Sequence, residues 1–469
     1  MYRRTFLASS AGPFVQTASK AAARRPNVVM FMTDDHGAWA TGAYGCPEIK
    51  TPHIDALAAG GAKFSRAFAC TPVCSPSRMT WITGRLPSTH GVQDWLRPND
   101  SFEGATTRRW LAGHPTYTEV LARNGYTLGL SGKWHMGEDD KAQAGFSYWA
   151  TVPGGGGPYK DVEFVRNGER IKTTGYKTDR VGDYGLEFLD TRRGKDDPFY
   201  LLMPFYAPHT PFDYQPDEYR KPYENAEFSC FPKAEKHPWQ NRGLAAHHGN
   251  RRSMHAYGAL ITGMDANVGR VVKRLEEMGV RDNTLVVFSA DQGWNAGHHG
   301  VWGKGNGTWP FNMYEESIRV PLIWNHPGRI AGGQTLDPMV SSYDYFPTIL
   351  DYLNVDAPKD PKRAGRSYAG FLGGRKPRWS NRLYFEYSYV RGLRTDNLKL
   401  IQRTEEWPSE FYDLEADPGE TRNLYDDAAN GKQRDALRSE LDRFFNRAGA
   451  PDQEDWRSTT RQELTVYSR

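Results

Sequence analysis

Three short apolar runs constrain this chain more than any other feature of it: Asn27-Val28-Val29-Met30-Phe31-Met32, Phe199-Tyr200-Leu201-Leu202-Met203-Pro204-Phe205 and Thr284-Leu285-Val286-Val287-Phe288-Ser289. Runs with so little polar alternation predict strands buried on both faces, which belong in mostly parallel sheets covered by helices. Each run soon gives way to side chains able to bind a ligand: Asp34-Asp35-His36, His209 and Asp291-Gln292 respectively. Open α/β sheets place their sites at the carboxyl ends of strands, so these groups are expected on one edge. Apolar residues at three- and four-residue spacing in Thr51 to Gly60, Thr118 to Asn124 and Met254 to Met278 predict covering helices. After about Gly365 the pattern changes to short runs, Leu383 to Tyr387, Leu398 to Gln402 and Phe411 to Leu414, before a charged helix from Lys432 to Asn446. The expected fold is therefore α/β, a large mostly parallel sheet sandwiched by helices over 24–370, with a smaller α+β C-terminal domain over 371–469.

Composition removes the competing classes. With 38% hydrophobic and 25% charged residues the chain holds enough apolar material for a large core and is too polar to be embedded in a membrane. The 60 basic side chains nearly cancel the 56 acidic ones, leaving +4, so no nucleic-acid partner is expected and an acidic substrate must be met by local charge. Four cysteines (Cys46, Cys70, Cys74, Cys230) are too few to staple a chain of 469 residues. Met1-Tyr2-Arg3-Arg4-Thr5-Phe6-Leu7, a weakly apolar stretch and Ala21-Ala22-Ala23 look like a twin-arginine export signal over 1–23. Without Arg3, Arg4 and Lys20 the net charge falls from +4 to +1. A periplasmic destination is expected, and no other segment approaches a transmembrane length. Gly154-Gly155-Gly156-Gly157-Pro158 reads as a flexible loop, not a phosphate cradle, because no Lys-Ser/Thr follows it.

The most informative segment is Cys74-Ser75-Pro76-Ser77-Arg78, continuing to Thr83-Gly84-Arg85. Pro76 suits a first helical turn with Ser75 as its cap, which puts Cys74 just before a helix N-terminus, a place that attracts anions. Here the sequence resembles the signature of the formylglycine-dependent (type I) sulfatases of the alkaline phosphatase superfamily, in which the Cys of C-x-P-S-R is oxidised to formylglycine. The likeness continues through Arg25-Pro26-Asn27-Val28-Val29 with Asp34-Asp35, Gly132-Lys133-Trp134-His135-Met136-Gly137, Ala207-Pro208-His209-Thr210-Pro211, Asp291-Gln292-Gly293, His299-Gly300, Lys304 and Tyr314 to Pro321. It ends in Tyr412-Asp413-Leu414, Asp417-Pro418 and Asn423-Leu424, and covers about residues 25 to 425.

The resemblance implies an alkaline phosphatase-like fold and a sulfate ester hydrolase, acting on a sulfated small molecule or glycan and matured by a formylglycine-generating enzyme. Its implied metal ligands are Asp34, Asp35, Asp291, Gln292 and the residue at position 74, with Gln292 standing where many members carry Asn or His. An all-oxygen side-chain set is that of a hard cation, calcium first and magnesium second. Three carboxylates together repel one another unless a cation joins them. The family's mechanism has a hydroxyl of the hydrated aldehyde at position 74 attack sulfur, with Arg78 polarising it and Lys133 and Lys304 neutralising the sulfate. A proton from His209 or Lys304 then releases the alcohol, and proton loss to His135 expels sulfate.

Two other readings compete. A phosphonate or phosphate ester hydrolase of the same superfamily shares the motif, although the Asp34-Asp35 pair argues against it, since such hydrolases usually carry Gln second. A non-catalytic sulfated-glycan receptor would keep the cationic cradle without maturing Cys74, but needs no nucleophile beside Arg78. His90, His298 and His299 are weaker site candidates, and one or two of Trp95, Trp149, Trp239, Trp294 and Trp302 are expected to offer a face to a sugar. Gln93 to Thr107, Ala150 to Tyr159 and Phe228 to Arg252 carry no decodable motif and are the expected places of substrate specificity.

Overall fold

A computed structural model describes residues 24–97, 109–404 and 406–450; the expected export signal over 1–23 lies outside the described residues. The three apolar runs form neighbouring strands at the centre of a ten-stranded sheet. Asn27–Thr33 lies between Phe199–Pro204 and Thr284–Ala290 and is parallel to both. All residues of the three strands are buried, as a sheet covered on both faces requires. Thr127–Gly132 and Tyr148–Thr151 extend the parallel set on one side. Beyond them the hairpin Glu163–Arg166 and Glu169–Lys172, and on the other side Leu322–Asn325, join antiparallel, so the sheet is mixed toward its edges.

Period-two side-chain alternation divides the central strand between two cores. Val28, Met30 and Met32 pack with Met79, Trp81 and Ile82 of the Cys74–Thr83 helix and with Leu121 and Ile349. Val29 and Phe31 face the Arg251–Glu277 helix through Tyr257, Leu260, Ile261 and Met264. The helices expected from periodicity form over Pro52–Ala59, Tyr117–Arg123 and Arg251–Glu277. Among the described residues no helix is long and apolar enough to cross a membrane.

The C-terminal region is an antiparallel meander of Leu383–Tyr387, Val390–Arg394, Leu398–Gln402 and Glu410–Asp413, with the Gly431–Arg447 helix packed on it. Its apolar face is continuous with the large unit: Phe385, Tyr387 and Leu400 share one core with Phe68, Cys70, Val73 and Cys74. The small sheet thereby backs the segment that carries Cys74.

Candidate active site

Four adjacent parallel strands deliver the site from their carboxyl ends, where the strand-order argument placed it. Asp34 and Asp35 follow Asn27–Thr33, Asp291 and Gln292 follow Thr284–Ala290, Lys133 and His135 follow Thr127–Gly132, and Tyr206 and His209 follow Phe199–Pro204. The exits are tied together by backbone bonds Asp34 N–H to Ala207 O (3.3 Å), Asp291 N–H to Thr33 O (2.9 Å) and Lys133 N–H to Pro204 O (2.7 Å). Asp35 and His135 both adopt left-handed backbone conformations, φ 63° and 59°, an uncommon state for residues other than glycine that concentrates at functional sites. The remaining pieces come from the Cys74–Thr83 helix and from Lys304 beyond the short strand Trp302–Gly303.

One expectation about that helix is corrected. Cys74 is its first residue and Val73 its cap; the Ser75 hydroxyl accepts the Leu96 N–H at 3.0 Å instead of capping. The rest of the signature has a structural reading. Ser77 Oγ donates to the Asp291 carbonyl, and Gly84 ends the helix at φ 69°, the left-handed turn that favours glycine. Arg85 then meets Asp360 at 2.8 Å.

Opposite charges interlock beneath Cys74. Arg78 reaches Asp291 Oδ2 with Nε at 2.8 Å and Nη2 at 2.7 Å, and donates from Nη1 to the Lys133 carbonyl at 2.7 Å. Lys133 Nζ pairs with Asp34 Oδ2, and Lys304 Nζ with Asp35 Oδ1 at 2.6 Å. Gln292 Nε2 donates to Asp34 Oδ1 (2.9 Å) and Asp35 Oδ1 (2.6 Å). His209 Nε2 stands 3.6 Å from Asp35 Oδ2. Burial pushes the Asp34 carboxyl up, but Lys133, His209, Lys304 and Arg78 together hold it well below the usual range. Burial and the neighbouring Asp34 push Asp291 up to about 7. Burial raises the Cys74 thiol, so the unmodified side chain is a poor nucleophile.

These groups can hold a cation. Three buried carboxylates converge with an amide, and Asp35 Oδ2 and Gln292 Oε1 are buried with no hydrogen-bond partner. The donors are all oxygen, and an amide turned over offers Oε1 where Nε2 now points. His135 donates from Nε2 to the Leu96 carbonyl at 2.8 Å, which fixes the tautomer and leaves Nδ1, buried and without a partner, as a free base.

Above this floor opens a cavity of about 320 Å³, lined among others by Cys74, Lys133, His135, His209 and Lys304. Two of the five tryptophans named from sequence, Trp95 and Trp294, line it too. Trp294 is nonetheless as buried as Trp149 and Trp302, which are core residues, and Trp239 meets His237 edge to face at 5.3 Å. His90 is buried against Thr80 and Val92, His298 packs on Trp39, and His299 pairs with Glu316 at 2.7 Å; none of the three lines the cavity. Sequence reasoning missed Tyr206, Leu244 and Asn306 in the wall. The glycine run, expected as a flexible loop inside a specificity segment, supplies Gly154, Gly155 and Gly156 to one side of the cavity, where it is anchored. The Gly154 N–H reaches Asp139 Oδ2 at 2.9 Å, and Lys177 Nζ donates to the Gly156 and Gly157 carbonyls at 3.1 and 2.9 Å.

Comparison with known proteins bears on the family and the fold. The family described as Sulfatase matches residues 26–355, and that described as N-sulphoglucosamine sulphohydrolase, C-terminal, matches 297–447. The N-acetylglucosamine-6-O-sulfatase of Bacteroides thetaiotaomicron is 28% identical, covering 92% of this chain and 87% of its own. The ulvan-active sulfatase of Formosa agariphila is 28% identical, covering 90% and 81%. A structure solved in complex with its substrate D-glucosamine-2-N,6-O-disulfate superposes with a TM-score of 0.77 at 26% identity, covering 91% of this chain and 99% of that one.

Proposed function

This chain belongs to the sulfatase family and is a sulfuric ester hydrolase; on that premise we propose that it removes sulfate from a sulfated saccharide, using a formylglycine made from Cys74 and a calcium ion held by Asp34, Asp35, Asp291 and Gln292. One observation carries the reading: Cys74, Lys133 and Lys304 meet in one cavity directly over three buried carboxylates. When bound, the ion would supply positive charge beside position 74, and magnesium is the second choice.

The chain's own residues do the rest. Lys133 and Lys304 present ammonium groups to an anionic ester that would otherwise repel a nucleophile. Arg78 fixes Asp291 and the Lys133 backbone and adds its charge beneath position 74. His209 or Lys304 gives the departing alcohol its proton, and His135 Nδ1 takes the proton whose loss frees sulfate. The buried, electrically neutral thiol of Cys74 serves none of this unmodified, which is why maturation by a separate enzyme, followed by export through residues 1–23, belongs to the proposal. A saccharide is supported by the substrates named for the similar proteins, by the half-buried Trp95 in the wall and by a cavity of about 320 Å³.

Mass spectrometry of the peptide spanning Cys74, from protein co-expressed with a formylglycine-generating enzyme, tests the proposal together with sulfate release. An aldehyde at position 74 and calcium-dependent desulfation are expected, with Cys74→Ala inactive. Undiminished sulfate release by Cys74→Ala would sink the formylglycine route, and faster turnover of an aryl phosphonate than of any sulfate ester would move the enzyme to phosphorus chemistry.

A further inference from the structure

We propose that Cys46, Glu48 and Cys230 form a second cation site, one for zinc, which pins the wall-forming stretch 228–252 to the scaffold. None of the three lines the catalytic cavity. Their two sulfurs and a carboxylate oxygen lie within 4.8 Å of one another, although nearly two hundred residues separate the two segments. Cys46 Sγ is 3.5 Å from Glu48 Oε2. A thiolate at about 2.3 Å and a carboxylate oxygen at about 2.0 Å from a tetrahedral zinc ion stand about 3.5 Å apart, so this edge already has the right length.

Glu48 is held for the task. Its other oxygen, Oε1, accepts the Ser229 N–H at 2.8 Å and the Ser229 hydroxyl, which aims Oε2 at the sulfurs. Ligating carboxylates are steadied in this way by hydrogen bonds of their own. Zinc binds cysteine as thiolate, so the ion's own charge would favour loss of both thiol protons on binding. Cys46 is buried while Glu48 and Cys230 are half-buried, leaving water access for a fourth ligand. The two thiols are not bridged. A disulfide would use the sulfurs but give Glu48 no role, whereas two thiolates and a carboxylate are a donor set zinc accepts.

The position gives the ion its purpose. Cys46 and Glu48 lie just ahead of the Pro52–Ala59 helix, and Ser229-Cys230 begins the stretch that contributes Leu244 to the cavity wall. The same stretch is tied near the site by Gln240 Nε2, which donates to the Trp302 carbonyl at 3.1 Å.

Full-length protein is purified without chelator, and zinc and calcium are counted by elemental mass spectrometry beside the intact mass under denaturing, non-reducing conditions. One zinc per chain with the Cys46 and Cys230 thiols both free is expected. Cys46→Ser/Cys230→Ser should lose the zinc while retaining calcium, and Glu48→Gln, which removes a ligand itself, should weaken zinc binding by more than the about 10- to 100-fold typical of losing an outer-shell partner. Cobalt loaded in place of zinc should show thiolate-to-metal absorption that the double variant lacks. A wild-type chain that is zinc-free and lighter by the two hydrogens of a disulfide overturns the proposal, as does one that keeps both thiols free and takes up no zinc on addition. The wild-type measurement decides even where the double variant fails to fold.

Discussion

Arg78 meets Asp291 through two nitrogens of one guanidinium and the Lys133 carbonyl through a third, all 2% exposed or less at the side chains concerned. Lysine keeps the charge but cannot fork. Arg78→Lys is therefore expected to lower kcat about 100-fold, the usual loss when one preorganised donor is removed from a charged site. It should leave the far-ultraviolet circular dichroism unchanged. A kcat within threefold of wild type would show that the fork is structural only. At this scale most of the candidate site was legible in the sequence, because Asp34, Asp35, Cys74, Arg78, Lys133, His135, His209, Asp291, Gln292 and Lys304, which the fold brings together, sit in compact segments of ligand-capable residue types. Tyr206, Leu244 and Asn306 were not, since a wall residue is defined by what faces it across the cavity and carries no local signature. Ser75 was misjudged for a similar reason: Leu96, distant in sequence, claims the hydroxyl that a local rule assigns to capping.

Among elements, the glycine run and the Lys177–Thr191 helix work as a pair. Lys177 begins that helix and reaches back to the Gly156 and Gly157 carbonyls, its ammonium 3.9 Å from the centre of the Tyr206 ring. Burial pulls the Lys177 pKa down to about 7, with Lys133 adding repulsion and Asp213 and Asp34 opposing. Lys177→Met should thus relieve a buried charge yet release the wall, raising KM for the best saccharide about 10-fold while kcat changes little, because about 1.4 kcal/mol of binding goes with the lost loop contacts. An unchanged KM would mean that the glycines hold their shape unaided. Gly155→Ala is the converse case. Gly155 has φ 62°, and a Cβ there would lie 2.5 Å from His135 Cγ. The variant should lose kcat through a displaced His135, and a wild-type kcat would separate that ring from catalysis. The same close approaches explain why some elements escaped the pattern. Thr127–Gly132 and the Lys177–Thr191 helix contain glycines where a Cβ would strike Phe188, Asn267 or Met203, so tight packing interrupts the apolar periodicity that the three central strands display. Val390–Arg394 was hidden by its two arginines, which are buried only because Arg391 meets Glu386 at 3.1 Å and Arg394 meets Glu315 at 3.1 Å.

Those pairs show how the molecule holds together as a whole. Between the large unit and the small sheet lies a buried charge network: Glu315 accepts from Arg394 and from Lys399 at 3.1 Å, Lys399 also meets Glu420 at 2.6 Å, and the Glu315 N–H reaches Glu420 Oε2 at 2.8 Å. Burial raises the Glu420 carboxyl, with Lys399 as the chief opposing charge, while Lys399 and Arg394 hold Glu315 below its ordinary value. Glu315 thus depends on cations across the junction, and it shares Lys399 with Glu420 of the C-terminal region. Lys399→Met keeps the apolar volume but leaves Glu420 without its nearest positive neighbour and facing Glu315. Removing one partner of a buried pair typically costs about 3–5 kcal/mol, far more than an exposed pair is worth. The midpoint of denaturant unfolding should fall accordingly. Because Phe385 and Leu400 share a core with Val73 and Cys74, the two units should still unfold in a single transition, with sulfate release lost in the same denaturant range. Two separate transitions in Lys399→Met, or a loss below about 1 kcal/mol, would show instead that the small sheet is an independent appendage and that the segment bearing Cys74 needs no support from it.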